Sequence, residues 1–355
     1  MTNLLPLPGG GALLATDSHQ PSAVGPIAPT LERLVKFLSV LAILPAALVA
    51  QAQQTTYPQP KLPPPDGYRV YIIPDMEGMG SVVNIHEVIA GIEGKGYANL
   101  TGPDYWGHSR QLMTQEVNAV IRGSRRSGAR SFVVNEGHGG NLFANIIPED
   151  LDTGALLIRG FPKPLIMITG IDSSVGTVIF TGAHAGPGRP GVMAHNYSFD
   201  HFAVDGHELN EVGINALIAG EFGVGVSMVT GDDGEIAQCR EILGDKFVGV
   251  ITKWALSRGA AVTYSPIKMR RILADSAAKA VRLARAHTFR PYTLPKPYQV
   301  EFTLRASYPD SVVMGVDSLH WPGLEKISGR TYHLTTESAV QMGYLLDAIE
   351  SVVLK

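Results

Sequence analysis

Two carboxylates, Asp75 and Glu77, follow directly on a hydrophobic segment that ends at Pro74. In an extended chain residues i and i+2 point to the same side, so this spacing delivers both acids to one spot. Like charges held together repel, unless one group is protonated or a cation lies between them. The pair therefore indicates either a cation site or, more simply, an aspartate that caps a turn beside a solvated glutamate.

A second set of ligand-capable residues is a concentration of histidines in the middle of the chain: His138, His184, His195, His201 and His207. His138 and His184 each follow a hydrophobic segment, and imidazole nitrogen with carboxylate oxygen is donor chemistry that Zn²⁺ prefers. A lone histidine after a strand is nevertheless more often a satisfied loop residue. Glu211, at a predicted helix start, is stabilised there by the helix dipole alone. Spacing by itself leaves both interpretations open.

These side chains must be positioned by strands. Four hydrophobic segments run directly into polar residues and are predicted as strands, at 70–73, 131–134, 177–180 and 224–229. The carboxyl ends of strands in one α/β sheet converge on one crevice. We therefore expect the ligand candidates that follow strands to meet there: Asp75, Glu77, His138 and His184. Glu211 can join them, and a ligand set that shares one carboxylate suits two ions roughly 3.5–4 Å apart.

The remaining pattern alternates strands with helices. Helices are predicted at 101–127, 208–222, 233–243, 266–287 and 336–353, and further strands at 155–158, 247–252, 298–304 and 329–334. Residues 201–207 are predicted to form a hairpin with Asp205 and Gly206 in its turn. The alternation predicts an α/β fold with a largely parallel central sheet flanked by helices, and with the metal site at the carboxyl ends of the strands.

Composition narrows the function classes. The 355 residues are 45% hydrophobic and 17% charged, and the formal net charge of −3 excludes the strongly basic footprint of a nucleic-acid-binding protein. The single cysteine, Cys239, excludes an intrachain disulfide and is predicted to be a buried, inert thiol.

The N-terminal part of the chain has the pattern of a secretory signal. Arg33 and Lys36 precede an apolar run at 37–49, which is followed by Ala50-Gln-Ala52. A basic flank, a short apolar core and such a small-residue end are typical of a cleaved signal. The apolar run is shorter than the roughly 20 residues of a membrane-spanning helix. An uncleaved N-terminal membrane anchor is the alternative.

Three regions are predicted on this basis: a disordered region plus signal at 1–52, a Pro- and Gln-rich linker at 53–67, and a catalytic domain at 68–355. Cleavage near Ala52 would make the protein periplasmic or secreted.

The motifs taken together in chain order resemble those of the dipeptide-transport-associated zinc D-aminopeptidase family: Asp75-Met-Glu77-Gly78, Val134-Asn-Glu-Gly-His138, Gly182-Ala-His184, Pro190-Gly-Val-Met-Ala-His195, Glu211-Val-Gly-Ile-Asn215-Ala and Gly231-Asp-Asp233. The resemblance covers about residues 68–353. It implies a binuclear zinc site in which Asp75 bridges both ions. Glu77 and His138 would complete one site, and His184 and Glu211 the other.

The resemblance also implies roles outside the ligand set. His195 matches the family's catalytic histidine, which acts as a nucleophile or as a base. The family forms a ring-like homo-oligomer whose sites face an inner cavity. Ile73 stands where the family has a serine, and an apolar side chain there leaves the ligands in place but removes a possible hydrogen bond to them.

The resulting hypothesis is metal-assisted hydrolysis of the peptide bond next to a free N-terminus in short peptides. The preference for D-alanine comes from the resemblance alone. His195 would move the proton or attack directly. One alternative is another zinc amidohydrolase or an L-aminopeptidase on the same scaffold, and another is a non-catalytic periplasmic peptide- or metal-binding protein. No nucleic-acid partner is expected, and no membrane contact beyond the export signal.

Overall fold

The computed structural model of the protein describes residues 58–90 and 105–354. Within these residues the strands are β1 (Tyr68–Pro74), β2 (Ala129–Asn135), β3 (Ala155–Ile158), β4 (Val175–Ala183), β5 (Phe199–Val204), β6 (His207–Glu208), β7 (Val226–Asp232), β8 (Val248–Ser257), β9 (Ala260–Thr263), β10 (Tyr298–Leu304), β11 (Leu324–Ser328) and β12 (Thr331–Thr336). The α-helices are α1 (Tyr105–Arg126), α2 (Glu211–Glu221), α3 (Asp233–Leu243), α4 (Pro266–Arg285), α5 (Asp310–Asp317) and α6 (Ala339–Val353).

The larger sheet has seven strands in the order β3-β2-β1-β4-β7-β8-β9, and every pairing is parallel except that of β8 with β9. β1 lies in its interior, and alternate side chains enter different cores: Tyr71 and Ile73 one, Val70 and Ile72 the other. A strand that is covered on both faces must be apolar throughout, which explains the unbroken hydrophobic segment at 70–73. The largely parallel central sheet confirms the predicted fold class.

A second sheet has five antiparallel strands in the order β11-β12-β10-β5-β6, of which the sequence analysis predicts only the β5–β6 hairpin as a pair. Burial alternates along β10, where Val300 is buried while Gln299 and Glu301 are exposed, as in a strand with one solvated face. Strands near 298–304 and 329–334 are predicted, but the periodicity of apolar residues does not show which strands pair with each other. The short elements β9, β11 and α5 are missed.

Helix starts differ from the prediction where a polar residue caps the helix. α2 begins at Glu211 instead of Glu208, because the Asn210 side chain accepts a hydrogen bond from a first-turn amide. Glu208 belongs to β6. α6 begins at Ala339 instead of 336, after Ser338, whose hydroxyl caps it in the same way.

The predicted signal at 1–52, the first part of the linker and the predicted helix start at 101–104 lie outside the described residues. The described part of the linker, 58–67, contains no helix or strand but packs against the domain. The Gln59 side chain donates to the Pro164 carbonyl (3.4 Å), and the Arg69 guanidinium donates to the carbonyl of Pro63. Among the described residues no helix is long and apolar enough to cross a membrane.

Candidate metal centre

Three adjacent strands of the larger sheet deliver the predicted ligands to one place. Asp75 and Glu77 follow β1, His138 follows β2 and His184 follows β4. Each of these four side chains is at least nine-tenths buried. The carboxyl ends of the strands therefore meet as the sequence analysis expects.

Gly78 allows the ends of β1 and β4 to approach closely. Its amide donates to the carbonyl of Gly182 (2.7 Å), and a Cβ at position 78 would lie 1.9 Å from the Ala183 carbonyl oxygen. The structure shows that the backbones pass too close for any side chain.

The first group of potential ligands contains Asp75, Glu77 and His138. The Nδ1 atom of His138 lies 2.9 Å from Glu77 Oε2 and 3.4 Å from Asp75 Oδ1. One potential ligand atom from each residue lies within 4.8 Å of the other two. This spacing is that of side chains arranged around one ion.

The second group contains His184, Glu211 and His195, again with ligand atoms within 4.8 Å of one another. His184 Nε2 lies 3.7 Å from Glu211 Oε2, and the rings of His184 and His195 stack with centroids 3.9 Å apart. His195 thus lies beside the predicted ligands, on a loop that folds back over the strand ends.

Asp75 connects the two groups. Its Oδ1 atom faces His138, while its Oδ2 atom lies 3.3 Å from His184 Nε2. One carboxylate that offers a different oxygen to each side has the arrangement of a bridging ligand.

Hydrogen bonds to backbone carbonyls orient all three imidazoles. His138 donates from Nε2 to the Val88 carbonyl (2.6 Å), which orients its Nδ1 atom toward the acids. His184 and His195 donate from Nδ1 to carbonyls near them in the chain, at 3.2 and 2.8 Å. The Nε2 atom of His184 is thereby oriented toward Asp75 and Glu211. Such bonds are the usual way in which proteins select the tautomer of a metal-binding histidine.

Both groups line one cavity of about 1120 Å³. Its walls also carry charged and hydroxyl-bearing side chains that the sequence analysis does not assign to the site: Tyr197, Arg258, Arg305 and Glu350. Since these residues come from the loop after β4, the β8–β9 turn, the end of β10 and the last helix, no local pattern indicates them.

The chain is similar to known proteins in both sequence and fold. The sequence profile of the D-aminopeptidase family of peptidases matches residues 68–348. The chain belongs to the D-aminopeptidase family. A D-aminopeptidase of Bacillus subtilis (strain 168) is 32% identical over 216 residues, which are 60% of this chain and 74% of the relative. The solved structure of the Zn-dependent D-aminopeptidase DppA from Bacillus subtilis, described as a self-compartmentalizing protease, matches with a TM-score of 0.68 and 25% identity. The match covers 81% of this chain and 98% of DppA.

Membership of the D-aminopeptidase family confirms the resemblance and the predicted class of enzyme, an aminopeptidase that hydrolyses peptide bonds. The matched range of 68–348 spans the described strands from β1 to β12 and most of α6.

Burial and neighbouring charges have opposite effects on the pKa values of the acids and histidines in this site. Burial opposes the ionisation of Asp75, but the hydrogen bond from His138 and the charges of His184 and His138 lower its pKa to about 2. Burial also disfavours charge on His184, yet Glu211 and Asp75 raise its pKa to about 9. Burial raises the pKa of Glu211 to about 7. Burial and the neighbouring His184 lower the pKa of His195 to about 3. The acids thus require positive charge beside them, from imidazolium or from a metal cation.

A buried lysine holds the turn that carries Glu77. Lys253 is fully buried, and its ammonium donates to the carbonyls of Glu77, Met79 (3.0 Å) and Val82. Lys253 lies in β8, which the sequence analysis predicts to end at 252, and the sequence analysis gives this lysine no role in the site. The available signal is a lysine that directly follows an apolar strand, at the same edge of the sheet as the ligands.

Neutral hydrogen bonds hold the second group. The Tyr197 amide donates to Glu211 Oε1 (2.6 Å), and the Asn215 side chain donates to the Tyr197 hydroxyl (2.7 Å). Asn210 caps α2 directly before Glu211, and its amide group also donates to Glu235 Oε2 (2.7 Å).

Other residues singled out in the sequence lie outside the centre. Ile73, in the place of the family serine, is buried in the apolar core and packs there without any polar contact of its side chain. His201 and His207 belong to the second sheet and join neither ligand group. Cys239 is a free, buried thiol, as predicted.

Proposed function

We propose that the protein is a zinc-dependent aminopeptidase that removes N-terminal residues, D-alanine foremost, from short peptides, with two zinc ions per chain. The observation that carries the proposal is the position of Asp75, whose two carboxylate oxygens face the two ligand groups. Family membership and the zinc dependence of DppA support the metal and the reaction.

The donor set fits two zinc ions. Imidazole nitrogen and carboxylate oxygen are both zinc ligands, and in His138 and His184 the ring nitrogen that does not bind a backbone carbonyl faces the acids. Glu77 and His138 would hold one ion with Asp75, and His184 and Glu211 would hold the other. When bound, such a pair of ions supplies Lewis-acid activation of the scissile carbonyl and of water.

His195 is proposed to move a proton or to attack the carbonyl. Its Nδ1–H is bound to a backbone carbonyl, so the free Nε2 lone pair is the reactive atom. Burial lowers the pKa of His195 and keeps its ring neutral. Its ring also lies near the ligand atoms of His184 and Glu211. The alternative role for His195 is therefore that of a further ligand to the zinc ion of the second group.

We also propose a homo-oligomer, in which rings of subunits enclose the active sites. The support is the description of DppA as self-compartmentalizing, together with a structural match that covers 98% of that chain. Such an enclosure would restrict substrates to short peptides. Light scattering of the purified protein tests it, and a monomer at all concentrations would contradict it.

Export is a further proposal, which rests on the apolar run at 37–49 and the Ala50-Gln-Ala52 end. The expected mature chain begins near Gln53 and lies outside the cytoplasm. Intact-mass measurement of the exported protein checks the cleavage point, and a full-length chain in the membrane fraction would favour an anchor.

The proposed activity is tested on purified, zinc-reconstituted protein. Elemental analysis is expected to give about two zinc ions per chain, because a shared carboxylate suits a two-ion site. D-Ala-D-Ala and D-Ala-Gly-Gly should release D-alanine faster than L-Ala-Gly-Gly releases L-alanine. No more than trace zinc after reconstitution, or faster cleavage of the L-peptide, would contradict the proposal.

A further inference from the structure

One acid in the cavity belongs to neither ligand group. Glu350 lies on α6, is 8% exposed and lines the cavity together with the proposed zinc ligands. Its Oε1 atom has no hydrogen-bond partner among the residues that the structure describes. A buried carboxylate oxygen without a partner is costly unless a ligand satisfies it.

Two consecutive residues of one loop bind Glu350 and the proposed zinc ligand Glu211. The Tyr197 amide holds Glu211, and the next residue, Ser198, hydrogen bonds to Glu350. Consecutive Cα atoms are about 3.8 Å apart, so the carboxylates of Glu211 and Glu350 contact neighbouring positions of one turn. Both carboxylates therefore line the same cavity, and their partners are adjacent residues.

The guanidinium of Arg305 lies near Glu350 but does not bind its carboxylate. The Arg305 guanidinium donates to the Tyr197 carbonyl, and the Arg305 amide donates to the Ser198 carbonyl (3.0 Å). Among the described ion pairs none joins Arg305 to Glu350. Burial raises the pKa of Glu350 to about 6, and the hydrogen bond from Ser198 and the charge of Arg305 offset only part of this rise. Arg305 itself remains bound elsewhere, so the Oε1 atom of Glu350 stays open to a ligand.

We propose that Glu350 binds the free α-ammonium group of the substrate's N-terminal residue. A primary ammonium is a compact cation with three donors, which suits a single unpartnered carboxylate oxygen. In an N-terminal residue one carbon atom separates the ammonium from the scissile carbonyl, so an ammonium held at Glu350 leaves that carbonyl toward the ligand groups. The inference rests on the proposed function, and it explains why cleavage would require a free N-terminus.

The test compares two ligands that differ only in the amine, D-alanine and propionate, neither of which can be hydrolysed. Calorimetry on zinc-loaded wild-type protein should show about 10- to 100-fold tighter binding of D-alanine, as for a hydrogen bond between charged groups. Glu350→Gln should remove this preference while the affinity for propionate and the zinc content stay unchanged.

Asp347→Asn is the matched control. Asp347 lies one turn earlier on α6, is also buried with an unpartnered oxygen, and does not line the cavity. This variant should keep the preference for D-alanine. If Glu350→Gln fails to fold, Glu350→Asp, which withdraws the carboxylate by one methylene, is judged by the same criterion.

Equal affinity of the wild type for both ligands would overturn the inference, and so would a preference that survives loss of the Glu350 carboxylate. Peptide turnover is measured separately. Absence of peptide cleavage by the wild type would contradict the proposed function, whereas the amine preference tests Glu350 alone.

Discussion

The two ligand groups of the centre reach it by different routes. The first group follows two neighbouring parallel strands, with Asp75 and Glu77 after β1 and His138 after β2. In the second group only His184 follows a strand directly. Glu211 opens α2, and His195 lies in the loop that connects the larger sheet to β5 of the second sheet.

The supports of the two groups differ as well. A buried cation, Lys253, holds the backbone after Glu77, and the Thr252 hydroxyl donates to the Gly78 carbonyl (2.6 Å). Glu211 is held by neutral donors and by a helix cap. The backbone that carries the first group is thus held in place by a buried cation, whereas the second group adjoins the residues proposed to act on the substrate.

The largest effect should come from the residue that joins the groups. Asp75→Ala should lose zinc from both sites and reduce activity by roughly 10³-fold or more, since several kcal/mol of charge stabilisation depend on the metal. Glu77→Ala should lose zinc from the first group only. Elemental analysis of both variants measures the zinc that each retains. Equal zinc losses would mean that Asp75 does not bridge the two ions.

The next comparison separates chemistry from ligation in the second group. His195→Ala should keep both zinc ions and the fold but lose activity by ~10²–10⁴-fold, as for removal of a general base. His184→Ala should lose zinc as well as activity. Zinc content and kcat are measured side by side. A near-normal kcat in His195→Ala, or a lost zinc ion, would refute its assigned role.

Lys253→Met tests the charged support of the first group. Loss of the ammonium leaves buried carbonyls without a donor, so zinc affinity should fall by about 10- to 100-fold, as for other groups that orient ligands. Lys246→Met, at an exposed lysine just before the same strand, should bind zinc normally. Competition with a chelator measures the affinity. Unchanged affinity in Lys253→Met would show that the turn holds its shape without the cation.

The smallest effect is expected at the neutral support of the second group. Asn210→Ala removes the cap of α2, which by itself should lower the free energy of unfolding by about 1 kcal/mol, and it also removes the donor to Glu235. Asn210→Ser, which keeps an acceptor, should lose less. Denaturant unfolding of the zinc-loaded proteins measures both. If Asn210→Ala loses zinc as readily as Lys253→Met, the geometry of the second group depends on its supports as strongly as that of the first.

The clustering of Asp75, Glu77 and His138 could be predicted from sequence because its information is local. An unbroken apolar segment at 70–73 indicates a strand buried on both faces, and the acids that follow it must lie at the end of that strand. The same argument places His138 and His184. That Asp75 would bridge two ions came only from the family resemblance, because spacing along the chain does not show which oxygen faces which neighbour.

The tertiary structure alone decided which distant segments meet. Periodicity reports how many faces of an element are buried, but not against what, so β10 and β12 could be predicted as strands while their antiparallel sheet could not. Lys253 lies 176 residues from the Glu77 carbonyl to which it donates, and Glu350 enters the cavity from the last helix. Such contacts depend on side chains that approach through the fold, and neither propensity nor local spacing encodes them.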